Sequence, residues 1–363
     1  MKAGGTTRYY PCVSFRPLFA AAFLLVAPIC RAQAPDPLKA AIEASKASDP
    51  MVRRQSAETL GLSRNPAAVP ALEALLGDAH PFVRAAACDA LGFQRSRASV
   101  PRLSAVLSGD SDPRVRQAAA TAFVYIGDGA AAGVLIGALK DAAAPVRHAS
   151  MRALGKLRAG AAVGALAGVL SDPDASARKV AAAALGEIAS KESVPALASA
   201  LSDSDAGVRS EAAKALGLVA DPSAGPALTG ALQDRDAGVR VQAATALARA
   251  GDPSGLPVAY AALKSPDAVT RQQAAATVGL VGDAKGLAAL ESARASEKDG
   301  NTSGMMDYAR AQLRARLGLP DKEPAKAPAK APAAAPAKKA PVKTPLKAPV
   351  KAPAKTPAKK VNR

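Results

Sequence analysis

Tryptophan is absent, histidine occurs twice, and phenylalanine and tyrosine together make up only eleven of 363 residues. Enzyme domains usually fill their cores with larger side chains. Here alanine and leucine dominate the apolar fraction, and both lose little on entering a helix. No His-x-x-His, Cys-x-x-Cys or His-Glu cluster occurs, so the usual ligand sets of transition-metal sites are missing. Glycine-rich phosphate loops and a Gly-x-Ser-x-Gly nucleophile elbow are missing too. These absences argue against catalysis, and no cofactor is expected.

Cysteine is nearly as scarce. Of the three, Cys12 and Cys30 fall in a stretch expected to be removed, which leaves Cys88 without an intramolecular partner and excludes a disulfide framework. Cys88 stands at a small-apolar position and reads as a buried, inert thiol. The single conspicuous apolar run, residues 18–27, is too short to span a bilayer. Lys2, Arg8 and Arg16 precede it, and Ala32-Gln33-Ala34 follows, the layout of a secretory signal peptide. Residues 1–34 are therefore expected to be an address for export to a periplasmic or extracellular location. Ile29 before Cys30 is bulkier than a lipoprotein signal normally tolerates, so soluble export is favoured over a lipid anchor.

What the chain has in abundance is repetition. Arg53, Arg84, Arg116, Arg147, Arg178, Arg209, Arg240 and Arg271 recur every 31 or 32 residues. Asp78, Asp110, Asp141, Asp172, Asp203 and Asp234 stand six residues before their arginines, and Gly61, Gly92, Gly155, Gly186, Gly217 and Gly279 eight after theirs. In one unit, Pro195 suits a first helical turn, and Val194, Leu197 and Leu201 recur at helical spacing. Asp205 is placed to cap a second helix over 206–216, with Gly217 expected to end it in the left-handed conformation. Each unit is thus two short antiparallel helices that need neighbours to bury their apolar faces.

The pattern Asp-x-x-x-x-Val-Arg-x-x-Ala-Ala-x-Ala-Leu-Gly, cleanest at 172–186 (with Ala177 for Val) and 203–217, resembles the HEAT repeat, in the short variety named after phycobilisome lyases. The resemblance covers roughly Asp36 to Asp283. It implies an all-α fold, an α-α superhelix (HEAT solenoid) of about eight helical-hairpin repeats over 35–319. A final helix over 305–317, with Arg310, Arg314 and Arg316 outward, is expected to cap it. The resemblance also implies that each repeated Asp bonds the turn between helices while the Arg bridges to an adjacent unit, a structural ladder. HEAT-like enzymes include a di-iron deoxyhypusine hydroxylase that uses His-Glu pairs; no His-Glu dipeptide exists here. A HEAT-like lyase or oxidoreductase stays as a lesser alternative.

In HEAT solenoids the second helices line the concave face. Their outward positions here include Arg54, Glu58, Asp89, His148, Arg152, Lys179, Glu211 and Lys214, candidates for holding a protein partner. A second candidate surface is the edge formed by the turns between repeats. Arg64, Arg95, Arg97, Lys156 and Arg158 make it basic in the first half, against Asp221, Asp252 and Asp283 later. That asymmetry suits an anionic ligand.

Residues 320–363 carry twelve Lys/Arg against Asp321 and Glu323, which is +10 of the chain's formal +18. Proline about every fourth residue forbids helix, and Lys and Ala between the prolines offer no core, so a disordered cationic tail is expected. It resembles the carboxyl tail of linker histones. Lys338, Lys339, Lys359 and Lys360 are its densest charges and candidate anion contacts. An anionic envelope polymer or lipid headgroup suits an exported chain better than nucleic acid does. The reading as a whole is a non-enzymatic, protein-binding scaffold of the cell envelope, with a tail-driven polyanion binder as its rival.

Overall fold

The computed structural model describes residues 36–320. The expected signal segment and almost all of the cationic tail, including Lys338, Lys339, Lys359 and Lys360, lie outside the described residues. Within them the chain forms nine helical hairpins. They are α1 (Pro37–Ala44) with α2 (Pro50–Ser63), α3 (Val69–Leu75) with α4 (Pro81–Phe93), and α5 (Val100–Gly109) with α6 (Pro113–Ile126). Next come α7 (Ala132–Gly137) with α8 (Ala144–Lys156), α9 (Val163–Val169) with α10 (Ala175–Ile188), and α11 (Val194–Ala200) with α12 (Ala206–Val219). The last three are α13 (Gly225–Ala231) with α14 (Ala237–Arg249), α15 (Leu256–Ala262) with α16 (Ala268–Val281), and α17 (Ala284–Ser296) with α18 (Gly300–Arg316). Each second helix packs on the second helices before and after it, the arrangement of an α-α superhelix. None of these helices is long and apolar enough to cross a membrane.

Local chemistry sets the hairpins. Proline stands in the first turn of α3, α5, α11, α13 and α15, where its missing N–H is no loss. An aspartate caps most second helices; Asp205 Oδ1, for example, accepts the Val208 N–H at 3.0 Å. Leu197, Val208, Ala212 and Leu216 are buried, and such residues from successive hairpins join into a core that runs from Ala41 to Leu247. A second cluster, Leu256 to Leu313, begins at the next hairpin. Cys88 is buried and free, and burial pushes its thiol pKa up, as befits an unreactive sulfur.

Three expectations need correction. The repeated glycines do not terminate helices: Gly217 lies inside α12, which runs on to Val219. A Cβ there would fall 2.8 Å from Ala246 Cα, so glycine is required by the close approach of α12 to α14. The left-handed residue that ends α12 is Ala220, at φ 54°. Second, the final helix starts at Gly300, where Asp299 caps it through the Thr302 N–H, and not at Met305. Third, Arg314 does not point outward. It is buried, hydrogen-bonds the Pro320 carbonyl and lies 3.5 Å from Glu291, tying the end of α18 to α17.

Candidate functional site

The repeated arginine and aspartate meet across hairpins. Arg53 Nε and Nη2 donate to the two oxygens of Asp78, at 2.6 and 2.9 Å, while Nη1 donates to the Ala47 and Ser48 carbonyls. The same bidentate contact joins Arg84 to Asp110, Arg116 to Asp141, Arg178 to Asp203 and Arg209 to Asp234. Arg271 makes it with Glu297. Each acid also accepts the N–H two residues on, as Asp203 does from Asp205, so one carboxylate fixes a turn and a neighbour at once. That second bond offsets the poor placement of an acid just past a helix C-terminus. The guanidinium hydrogen bonds hold Asp78, Asp141, Asp203 and Asp234 below the usual carboxylate range.

Two rungs are missing among the described residues. Arg147 bonds only the Asp141 and Ala142 carbonyls, and the Asp172 carboxylate accepts the Asp174 N–H and no guanidinium. Arg240 likewise bonds only carbonyls, because Ser265 occupies the acid's position. Beside the first gap, His148 Nε2 lies 3.8 Å from Asp174, and it and Ser150 Oγ are buried without a hydrogen-bond partner.

On the face of the second helices, the structure brings Arg54, Glu58 and Asp89 into one groove of about 520 Å³. Arg54 and Glu58 pair at 2.9 Å, and burial raises the Asp89 carboxyl to about 6. The groove's apolar wall is Leu62, Phe82 and Phe93, and Phe93 meets Tyr125 edge-on at 5.2 Å between ring centres. These four residues are missing from the set expected from sequence. Their signal was available: Leu62, Phe93 and Tyr125 stand nine residues after the repeated arginines of the first three units, whereas Lys156 and Glu187 fill that register in the next two. The other expected residues do not join the groove. Glu211 and Lys214 pair with each other at 2.9 Å, His148 lies beside Asp174, and Arg152 and Lys179 are exposed further along the face.

Along the turn edge, Arg64, Arg95 and Arg97 share a cavity of about 470 Å³ with Pro66, Val69 and Gln94. Arg64, Arg95 and Arg158 all adopt left-handed backbone, at φ 49°, 52° and 48°. Lys156 and Arg158 stand two units away from that cavity. Lys156 is the last residue of α8 and pairs with Glu187 at 2.7 Å.

With this geometry in hand, the likeness to known proteins is specific as to fold. A family model described as HEAT repeats matches residues 35–122, 100–171, 163–239 and 227–303. No curated protein matches the chain in sequence. Among solved structures, the YibA protein of E. coli is 22% identical, aligned over 74% of this chain and 98% of its own, with a TM-score of 0.50. Kap95p, solved in complex with RanGDP, is 16% identical over 77% of this chain and 44% of its own, at a TM-score of 0.52. The complex of CpcE and CpcF of phycocyanin lyase from Nostoc sp. is 24% identical over 79% of this chain and 99% of the other, at 0.34.

Proposed function

The chain belongs to the HEAT-repeat family, and from that premise we propose that it is a non-enzymatic scaffold whose second-helix groove holds a protein partner. One observation carries the reading: Leu62, Phe82 and Phe93 stay 75%, 36% and 44% exposed and gather in one groove, with the exposed Tyr125 ring against Phe93. Exposed aromatics beside a desolvated carboxylate are what an apolar segment of a partner requires, with the rings as anchors and Arg54 and Arg114 as a polar rim. Most of the repeated arginines are engaged in the ladder, which leaves recognition to positions that depart from the repeat.

The amino-terminal segment supports placing this scaffold outside the cytoplasm, and the tail's +10 supports a tether to an anionic surface of the envelope. The paired test uses the mature chain from Pro35 as bait against solubilised envelope. One variant carries Phe82→Asp and Phe93→Asp; a second has the tail lysines changed to glutamine. The reading expects a discrete partner, retained in moderate salt, that the first variant loses and the second keeps. Capture that ignores the groove variant and vanishes with the tail charges makes the chain a polyanion binder instead.

A further inference from the structure

A cavity of about 630 Å³ lies in the last two hairpins, away from the second-helix groove. It forms because α17 is unlike the first helices before it. At thirteen residues it is nearly twice the length of the seven-residue α15, and the two leave a cleft between them. Lys264 follows α15, Lys285 stands in the first turn of α17, and Lys298 follows its end; all three are exposed and line the cleft. None makes an ion pair among the described residues. The one acid in the lining, Glu297, is bound bidentately by Arg271, so its charge is already matched.

Three like charges facing one cleft repel each other, and a bound anion removes that cost while gaining three charge-assisted contacts. Hydroxyl donors stand between them. Ser265 Oγ accepts the Asp267 N–H and keeps its own hydrogen free. Ser292 makes no hydrogen bond through its side chain, and it shares a face of α17 with Ser296. The cations are spread out. Lys285 Nζ sits 5.7 Å from the Tyr260 ring centre at one end, while Lys264, Lys298 and the Arg271–Glu297 rung mark the other. The helix between Lys285 and Ser296 rises about 17 Å, too far for a single phosphate to serve both ends. Leu263, Ala289 and Ala293 form the stretch between, suited to an uncharged linker.

We propose that this cleft binds a linear ligand bearing two or more phosphate groups, one held at Lys285 and another between Lys264 and Lys298. The ligand is a phosphoanhydride chain or a phosphodiester chain, which share this chemistry. The site is independent of the protein-binding groove, and neither proposal needs the other.

Amine-reactive labelling of the full mature chain, read residue by residue by mass spectrometry in moderate salt, tests it. The probes are inorganic phosphate, tripolyphosphate and a short glycerol phosphate oligomer. Either chain should cut labelling of Lys264, Lys285 and Lys298 about tenfold, the size of one lost charged hydrogen bond, at concentrations that leave Lys338 and Lys359 unprotected. Whichever chain protects identifies the source of the phosphates. The variant Lys264→Gln with Lys285→Gln, unchanged in helicity, should lose protection at Lys298. Protection confined to the tail, or equal at every lysine, overturns the proposal. Inorganic phosphate protecting as well as the chains do overturns the requirement for linked phosphates.

Discussion

Arg209 and Asp234, twenty-five residues apart, meet in a bidentate pair at 2.7 and 2.9 Å, and Arg209 is only 4% exposed. Removing one partner strands the other's charge in a desolvated place, whereas replacing both with apolar groups does not. Asp234→Ala should therefore cost about 3 kcal/mol, and Arg209→Met with Asp234→Leu should recover most of it. Urea unfolding of the two variants checks this. Equal losses in both would show that the rung acts through packing alone.

The same rungs set the response to acid. Carboxyls held below their ordinary values contribute stability that is fully present above the unfolded pKa and lost as pH falls through the folded one. Glu297, lowered to about 2 chiefly by its hydrogen bond from Arg271, spans the window from 4.5 down to about 2. Asp89 works in the opposite sense. Burial lifts it to about 6, so the stability it contributes is present below 3.8 and lost as pH rises through 6. Asp89→Asn should raise the melting temperature by a few degrees at pH 7 and have no effect at pH 3, by calorimetry at both values.

The glycine correction makes a paired prediction. Gly217→Ala should destabilise by about 1–3 kcal/mol, because its Cβ would press on Ala246 at 2.8 Å. Ala220→Gly should stabilise by about 0.5–1 kcal/mol, since Ala220 holds φ 54°. Thermal melts of the two variants moving in opposite directions bear this out; a loss at both positions would contradict it.

Three stacking devices lapse together between α14 and α16. Ser265 stands where the acid of the rung belongs, Ala248 stands in the register of the close-approach glycine, and the core divides between Leu247 and Leu256. Amides of residues 256–316 should exchange hydrogen as a unit before those of 57–247. Ser265→Asp, by giving Arg240 an acceptor, should slow that exchange about tenfold. Uniform exchange along the chain would show that the junction is as firm as the rest.

The all-α superhelix and the register of its units were legible because every unit repeats the same caps and apolar spacing. The glycines misled because Gly217 and a helix-ending glycine look alike in one dimension. The distance that tells them apart, to Ala246 in the next hairpin, exists only once the helices stack. The groove was half legible. Arg54, Glu58 and Asp89 stood out as charges on a helical face, but Leu62, Phe82 and Phe93 did not, since apolar residues in an amphipathic repeat normally face inward. The Lys264–Lys285–Lys298 cleft had no signal at all, because it depends on how far α17 extends beside α15.

The most direct test of the scaffold reading is photo-crosslinking in the native cell, with a benzophenone amino acid at Phe93 and, as a control on the same face, at Leu218. The account predicts a discrete protein adduct from Phe93 and none from Leu218. No adduct at Phe93, or the same smear from both positions, would contradict it.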